Sequence, residues 1–359
     1  MQLHLVGGFL GSGKTTAIIS AAQQLIQSGK RVGIVTNDQG KYLVDTAFAQ
    51  ASQIPTVEVT GGCFCCNYDN LETVLKQLET ETQPDIIFAE SVGSCADLVA
   101  TVVKPLQTFY QKGLKVTSLS VFTDIRWLRR RLQNQPFPFH ENVIYIFDKQ
   151  IEEAGLIVLN KADLIPEQEV FQTLTMAQQK YPNKPIIAQN TLTQKGIQHW
   201  VERITTNTEC LPTNTLDIDY EKYGAGEAEL AWLDDELEIQ VNPRGGHDAI
   251  VCFLGELLQN IEDKGIPIGH FKIWIKASDC HFKMSFTALH ENNWQDSIPH
   301  FDADIFTLLI NLRAQAPKRI LREIVCESIE VLCWNVGATC LEKKAEAFHP
   351  ELPTPTHRM

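Results

Sequence analysis

The sequence predicts an α/β fold with a mainly parallel sheet, followed by a smaller α+β domain of ferredoxin-like topology. In residues 1–205, short apolar runs alternate with segments of helical periodicity, and several of the runs are apolar throughout. Continuous apolar strands are typical of parallel sheets, because helices cover both of their faces. After residue 228 the predicted order of elements is β-α-β-β-α-β, which is typical of a ferredoxin-like sandwich.

The elements of the first domain, residues 1–205, follow from these runs. Its predicted strands are residues 3–6, 32–36, 54–59, 86–89, 116–122, 156–159 and 186–188. Predicted helices between them include residues 71–78, 143–154 and 170–180. In the second domain, residues 229–345, the pattern predicts strands at 230–241, 271–276, 282–288 and 328–334, and helices at 248–262 and 305–314.

The segments that join and follow the two domains differ in composition. Residues 206–228 are rich in Thr, Asn, Asp, Pro and Gly and show little periodicity, which predicts a linker. Residues 346–359 contain three prolines and are predicted to be a disordered tail.

Composition limits the classes of function. With 359 residues the chain is expected to form two domains, and 44% hydrophobic and 21% charged residues are ordinary for a globular protein. The first predicted strand begins at once, and no apolar stretch approaches a membrane span, so a cytoplasmic location and no membrane partner are expected. A net charge of −13 argues against nucleic acid as the main partner. Ten cysteines without a secretory signal are consistent with free thiols in a reducing compartment.

A phosphate-binding motif occupies residues 8–15. The segment Gly8–Thr15 matches G-x-x-x-x-G-K-[ST], between an apolar strand and a helical stripe. Its glycines let backbone N–H groups point at phosphate oxygens, Lys14 can reach the β- and γ-phosphates, and the Thr15 hydroxyl can hold Mg²⁺. The predicted nucleotide-binding residues of this loop are Gly8, Gly11, Ser12, Gly13, Lys14, Thr15 and Thr16.

A second motif indicates which base is bound. Asn160, Lys161 and Asp163 form N-K-x-D directly after the apolar strand at 156–159. A carboxylate at this position can accept hydrogen bonds from the guanine N1–H and 2-amino groups, which adenine does not offer, and such a site discriminates strongly against the wrong base. The predicted nucleotide is therefore GTP.

Three cysteines lie between these motifs. Cys63, Cys65 and Cys66 follow two glycines at the end of the third predicted strand. Soft thiolates favour transition metals such as Zn²⁺, and three ligands leave a fourth position for water, a second protein or a transferred ion. Two alternatives stay open: the thiols are buried as small hydrophobes, or they form a thiol–disulfide switch.

Together these segments resemble the CobW family of metal-chaperone GTPases, which are relatives of UreG and HypB. The resemblance rests on G-G-F-L-G-S-G-K-T-T, G-G-C-F-C-C, E-S-V-G at residues 90–93 and N-K-A-D, in that order. It implies a GTP-driven carrier of zinc or cobalt with Cys63, Cys65 and Cys66 as the metal ligands. It also implies that Glu90 reaches the Mg²⁺ shell and that the Gly93 N–H meets the γ-phosphate.

One family motif departs from its usual form. The N-E-x-G segment after the second strand reads Asn37-Asp38-Gln39-Gly40, so Asp38 carries a shorter carboxylate. Asp45 stands where a switch acid is expected, and the sequence leaves open which of the two aspartates acts.

The sequence thus predicts a slow GTPase that couples nucleotide state to metal affinity. Lys14, Thr15, Glu90 and Asp38 are the predicted catalytic residues, with Thr15 and Glu90 at Mg²⁺. The expected partner is a client metalloprotein or a cobalamin-pathway protein, and homodimerisation is left open. One alternative is a GTP-dependent regulatory switch with redox-active thiols. A second is an ATP-dependent kinase, although the N-K-A-D motif at residues 160–163 favours guanine over adenine.

Overall fold

The computed structural model describes residues 1–40, 44–110, 113–206, 210–242, 245–278, 280–288 and 293–359. These residues divide into two units. The first consists of Met1–Gln39, Ala49–Gly226 and Leu352–Met359, and the second of Gly40–Phe48 and Glu227–Glu351. The chain therefore enters the second unit twice, and its last segment belongs to the first unit.

The first unit contains a seven-stranded parallel sheet in the order β3-β2-β4-β1-β5-β6-β7. All seven predicted strands are confirmed. The strands are β1 (Gln2–Gly8), β2 (Val32–Asn37), β3 (Thr56–Val59), β4 (Ile86–Glu90), β5 (Lys115–Asp124), β6 (Leu156–Asn160) and β7 (Ile186–Ala188). Strands β2, β4 and β6 are buried along their whole length, as continuous apolar runs predict.

Helices lie between and after these strands in the chain. They are α1 (Lys14–Gln27), α2 (Val44–Ala51), α3 (Tyr68–Thr82), α4 (Lys104–Phe109), α5 (Ile125–Leu132), α6 (Glu141–Glu153), α7 (Glu167–Lys180), α8 (Gln194–Thr206) and α9 (Tyr220–Ala228). Helix α1 buries one face, formed by Ala17, Ile18, Ala21, Ala22 and Leu25, at the spacing that its sequence predicts. Among the described residues, none of the helices has the length and apolar character that a bilayer span requires.

The predicted linker contains more structure than its composition suggests. Residues 207–209 lie outside the described residues, but α9 occupies its last part. Ile218 and Tyr223 are buried with Ala96 and Ile146 in a small apolar cluster of the first unit. Isolated apolar residues in a polar segment carry no periodic signal, which explains why the sequence alone favours a linker.

The second unit is a five-stranded antiparallel sheet in the order β10-β9-β11-β8-β12 with two helices. Its elements are β8 (Leu230–Gln240), α10 (Gly246–Asp263), β9 (Ile268–Lys276), β10 (His281–Phe286), β11 (Ile305–Gln315), α11 (Lys318–Val336) and β12 (Thr339–Phe348). Strand β11 lies between β8 and β9, and β8 lies between β11 and β12. This is the split βαβ arrangement of the predicted ferredoxin-like fold, with β10 added at one edge.

Two elements of this unit were predicted wrongly. Residues 305–314, predicted as a helix, form β11, in which every second residue from Phe306 to Leu312 is a buried apolar side chain. Residues 328–334, predicted as a strand, lie in α11. In both places an almost continuous apolar run fits either periodicity, and packing against the rest of the sheet decides the outcome.

A buried ion pair lies in the second sheet. Arg313 and Asp234 are both 0% exposed, and Arg313 Nη1 donates to Asp234 Oδ1 over 2.6 Å and to the Leu233 carbonyl over 3.0 Å. The guanidinium also covers the Trp232 ring at 4.2 Å, and Asn311 Nδ2 donates to the same carboxylate oxygen. The carboxylate is thus compensated by several donors in a site without solvent.

We expect Arg313→Met to lower the free energy of unfolding of this unit by about 3–5 kcal/mol, because it leaves the Asp234 charge buried without its cation. Urea denaturation followed by tryptophan fluorescence measures the change. Arg319→Met is the control, since that side chain is 81% exposed, and its effect should stay within about 0.5 kcal/mol. A loss below about 1 kcal/mol for Arg313→Met would show that the pair is not a stability determinant.

Candidate functional site

The loop between β1 and α1 runs so close to its neighbours that two of its positions require glycine. Gly8 has φ +127°, and a Cβ there would lie 2.0 Å from the Phe122 carbonyl oxygen. Gly13 has φ +91°, and its Cβ would lie 2.4 Å from Asn160 Nδ2. Side chains rarely adopt such backbone conformations, and here there is also no space for one. The loop is therefore held between the ends of β5 and β6.

The polar groups of this loop are arranged to receive an anion. Lys14 Nζ donates to the Gly8 carbonyl over 2.7 Å, so the ammonium group lies across the loop. Ser12 Oγ is buried and has no hydrogen-bond partner among the described residues. Helix α1 begins at Lys14, so its N-terminal N–H groups face the same space. A phosphate group would satisfy these donors together.

The predicted Mg²⁺ ligands are in contact. Thr15 Oγ1 donates to Glu90 Oε1 over 2.9 Å, and both side chains are buried. The parallel pairing of β1 with β4 places Glu90 beside Val6, two residues before the loop begins. A hydroxyl and a carboxylate oxygen are ligands that Mg²⁺ prefers.

The loop after β4 packs against the phosphate loop. A Cβ at Gly93 would lie 2.6 Å from Leu10 Cδ2 and 3.2 Å from Leu10 Cα, so a side chain at this position would force Leu10 to shift. Gln150 Nε2, on α6, donates to the carbonyls of Gly93 and Cys95 over 3.0 and 2.8 Å. The predicted γ-phosphate residue Gly93 therefore lies directly beside the phosphate loop.

The predicted base-binding residues lie at the end of β6. Asn160 Nδ2 donates to the Ser12 carbonyl over 2.7 Å and so supports the phosphate loop. Lys161 has φ +59°, and its Nζ lies 3.3 Å from Asp124 Oδ2. Asp163 lies in the short 3₁₀ turn Ala162–Leu164 and is exposed, which leaves its carboxylate accessible to a ligand.

Gln189 is a further candidate at this end of the sheet. The Gln189 carbonyl accepts a hydrogen bond from the Ala162 N–H over 3.1 Å, which ties the loop after β7 to the N-K-x-D turn. The Gln189 side chain is buried, and neither of its amide atoms has a partner among the described residues. Gln189 was not predicted as a site residue, because no motif marks it in the sequence.

The cysteine motif forms a tight turn between β3 and α3. Gly61 has φ +75°, and the N–H groups of Cys66 and Asn67 both donate to the Cys63 carbonyl. Asn37, the last residue of β2, holds this turn: its Oδ1 accepts from the Phe64 N–H and its Nδ2 donates to the Gly62 carbonyl. Asn37 was not predicted to have this role, although it is the first residue of the N-D-Q-G segment.

The three predicted metal ligands are brought together. The sulfur atoms of Cys63 and Cys65 are 2.6 Å apart, those of Cys65 and Cys66 are 3.7 Å apart, and all three lie within 4.8 Å of one another. Cys63 and Cys65 are buried, and Cys66 is partly exposed. Three thiols within this distance can bind one soft metal ion.

The thiols share their protons unequally. Hydrogen bonds from the neighbouring thiols, with that of Cys65 the largest contribution, hold the pKa of Cys63 well below its ordinary value. Cys65 and Cys66 each form a hydrogen bond with Cys63. This bond raises the pKa of Cys65, and the corresponding bond of Cys66 raises the pKa of Cys66 to about 11. The Cys63 thiolate is therefore stabilised by the neighbouring thiols, which favours the binding of a cation at this point.

A fourth thiol lies beside this cluster, outside the group of three whose sulfur atoms are all within 4.8 Å of one another. Cys95 is fully buried, and its side chain hydrogen-bonds with both Cys63 and Cys65. It lies two residues after Gly93, in the loop that follows β4. Cys95 was not predicted as a site residue, because nothing in a single cysteine 29 residues from Cys66 predicts their proximity.

The last segment of the chain lies over the cysteine motif. The N–H groups of Thr354 and Thr356 donate to Cys66 Sγ over 3.2 Å and to the Cys65 carbonyl over 2.8 Å. Arg358 Nε donates to Asp97 Oδ2 over 2.7 Å, and the Asp97 side chain is almost completely buried. Residues 352–359 thus make specific contacts with the first unit, and residues up to Phe348 lie in β12, which differs from the predicted disorder of residues 346–359.

The two aspartates that the sequence left open have different surroundings. Asp38 follows Asn37 directly at the end of β2 and is half-buried. Asp45 belongs to the second unit, where its carboxylate accepts hydrogen bonds from Lys272 and, over 2.6 Å, from Lys283. Burial opposes ionisation of Asp45, but the two lysine charges outweigh it and hold its pKa well below the usual range.

Comparison with known proteins identifies relatives of this arrangement. The zinc chaperone CobW of Sinorhizobium sp is 32% identical over 192 residues, which are 45% of this chain and 51% of its own length. The zinc chaperone YeiR of Escherichia coli (strain K12) is 28% identical over 172 residues, which are 47% and 49% of the two chains. This chain therefore spans about half the length of the curated relatives that it matches.

Among solved structures, HypB from Helicobacter pylori in complex with nickel aligns with 60% of this chain and 91% of its own, at 14% identity and a TM-score of 0.44. Residues 2–188, about half of the chain, match the family described as CobW/HypB/UreG, nucleotide-binding domain. This match spans the phosphate loop, the cysteine motif, the loop after β4 and the N-K-A-D turn. The chain belongs to the CobW/HypB/UreG family.

Proposed function

We propose that this protein is a GTP-hydrolysing metallochaperone that binds zinc through Cys63, Cys65 and Cys66 and passes it to a client protein. The observation that carries the proposal is the course of the loop after β4. It begins at Glu90 beside Thr15, touches the phosphate loop at Gly93 and reaches the thiols at Cys95. The names of the two curated relatives, both zinc chaperones, support zinc as the cargo, with cobalt as the second candidate.

The phosphate end of the site would bind the triphosphate through Lys14 and the N–H groups at the start of α1. Lys14 would exchange its hydrogen bond to Gly8 for one to the phosphates, and the Ser12 hydroxyl would gain a partner. Mg²⁺, when bound, would be held by Thr15 and Glu90 and would neutralise phosphate charge. Glu90 or Asp38 would orient the attacking water.

The cargo and the nucleotide would then influence each other through the shared loop. We expect the GTP state to raise the affinity for the metal, and hydrolysis to release it to a client metalloprotein or to a protein of a cobalamin pathway. By linkage, bound metal must tighten GTP by the same factor.

A redox switch is the competing function, favoured by the 2.6 Å separation of the Cys63 and Cys65 sulfurs. It requires a reversible disulfide or sulfenic acid at these cysteines, and it requires that no stoichiometric metal be bound under reducing conditions.

Competition with a calibrated chelator, in reductant and Mg²⁺, tests the metal cargo. We expect one tight Zn²⁺ site per chain, tighter with a non-hydrolysable GTP analogue than with GDP. Cys65→Ser should weaken binding by at least about tenfold, because a ligand is lost. Cys210→Ser is the matched control, since Cys210 is also a buried thiol of the first unit and its Sγ donates to the Arg203 carbonyl, away from the cysteine motif in the sequence. The absence of a tight site in either nucleotide state would exclude the chaperone function.

Asp163→Asn tests the base. An amide still accepts from the base N1–H, but it presents its NH₂ to position 2, where guanine has an amino group and xanthine a carbonyl. We expect GTP affinity to fall by at least about a hundredfold and xanthosine triphosphate to bind better than GTP. Fluorescent-nucleotide competition measures both affinities, and Glu167→Gln, a nearby exposed acid, is the control. Unchanged GTP affinity, or a preference of the unmodified protein for ATP, would contradict the assignment.

Truncation before Leu352 tests whether the last segment shields the metal. Removing the hydrogen bonds of Thr354 and Thr356 exposes Cys65 and Cys66 to solvent, so zinc transfer to a chelator should become faster by about tenfold or more. Arg358→Ala, which removes the ion pair with Asp97, should cause a smaller acceleration, whereas Arg319→Ala in the second unit should cause none. Identical transfer rates with and without the segment would show that it does not cover the site.

A further inference from the structure

Cys95 differs from an ordinary buried cysteine in what surrounds its sulfur. A lone buried thiol usually packs among apolar side chains as a small hydrophobe. The Cys95 side chain instead faces two other thiols, those of Cys63 and Cys65. All three thiols are buried, so a soft cation that reached this point would meet three sulfur atoms.

The backbone at Cys95 is held in place from several directions. Its N–H donates to the Val92 carbonyl over 3.0 Å, and its carbonyl accepts from Gln150 Nε2 over 2.8 Å. The next residue, Ala96, donates its N–H to the Tyr223 hydroxyl over 3.1 Å. The thiol is therefore presented to the cluster by a supported loop.

We propose that Cys95 is the fourth ligand of the metal site, which is then a four-thiolate site formed by Cys63, Cys65, Cys66 and Cys95. The inference rests on the proposed function, because it assumes that the cysteine motif binds metal. Zinc bound by protein side chains is usually four-coordinate and tetrahedral, and a buried fourth sulfur completes that shell without water. Cys66, the partly exposed ligand, becomes the one through which exchange with an incoming ligand can begin.

This ligand set changes how nucleotide state could act on the metal. Cys95 is separated from Gly93 by Ser94 alone, so a movement of the loop at the γ-phosphate displaces a ligand of the metal itself. The three ligands of the cysteine motif are on a different loop. Loss of one thiolate in four turns a closed site into an open one, and open sites release and exchange metal more readily.

Cobalt spectroscopy of the full-length protein counts the ligands, because each thiolate contributes to the sulfur-to-cobalt charge-transfer absorption. We expect Cys95→Ser to lower this absorption per bound Co²⁺ by about a quarter, as Cys66→Ser should, and to weaken Zn²⁺ binding by at least about tenfold. Cys210→Ser should leave both quantities unchanged. If Cys95→Ser has the spectrum and affinity of the unmodified protein while Cys66→Ser does not, Cys95 is not a ligand.

X-ray absorption of the zinc-loaded unmodified protein gives an answer that does not depend on the folding of a variant. Four sulfur scatterers in the first shell support the four-thiolate site. Three sulfurs with one nitrogen or oxygen overturn it and leave the metallochaperone proposal intact. A protein that binds no zinc under the competition conditions above overturns both.

Discussion

The parallel pairing of β1 with β4 is the constraint on which the site depends. Its register sets Glu90 beside Val6, so the loops that leave the two strands begin next to each other at one edge of the sheet. Backbone hydrogen bonds between these largely buried strands hold this register, and a shift by one residue would turn every side chain to the other face. The hydroxyl of Thr15 and the carboxylate of Glu90 meet because of it.

The loop that follows β4 is a short segment that connects the phosphate-binding groups with the cysteine thiols. Between Glu90 and Asp97 it contacts the phosphate loop, the thiols and, through Arg358, the last segment of the chain. Helix α6 supports the segment through two side chains. Gln150 donates to the Gly93 carbonyl, and Glu153 accepts a hydrogen bond from the Val99 N–H just beyond the segment. Burial raises the pKa of Glu153 to about 8. The proposed coupling between nucleotide and metal would act through this segment, because it contacts both sites.

The sequence predicted those parts whose signal is local. Each strand of the first sheet is an apolar run between helical segments, and the phosphate loop, the N-K-A-D turn and the cysteine motif are contiguous in the chain. Residues 305–314 were predicted wrongly because adjacent apolar residues such as Leu308 and Leu309 obscure the alternation that the sheet imposes. Cys95 and Arg358 were not predicted as neighbours of the cysteine motif, because their contacts depend on tertiary structure; Arg358 and Asp97 are 261 positions apart.

The position of the last segment matters for anyone who handles this protein. Met359 is anchored by its N–H to the Ala100 carbonyl, and Thr354 and Thr356 lie against the cysteine motif. A polyhistidine purification tag fused after Met359 would follow directly on the segment that contacts the cysteine motif, and its imidazoles would compete for the same ions in every titration. With an affinity tag before Met1, or with a tag that is cleaved before metal is added, the measured metal stoichiometry reports on the cysteines alone.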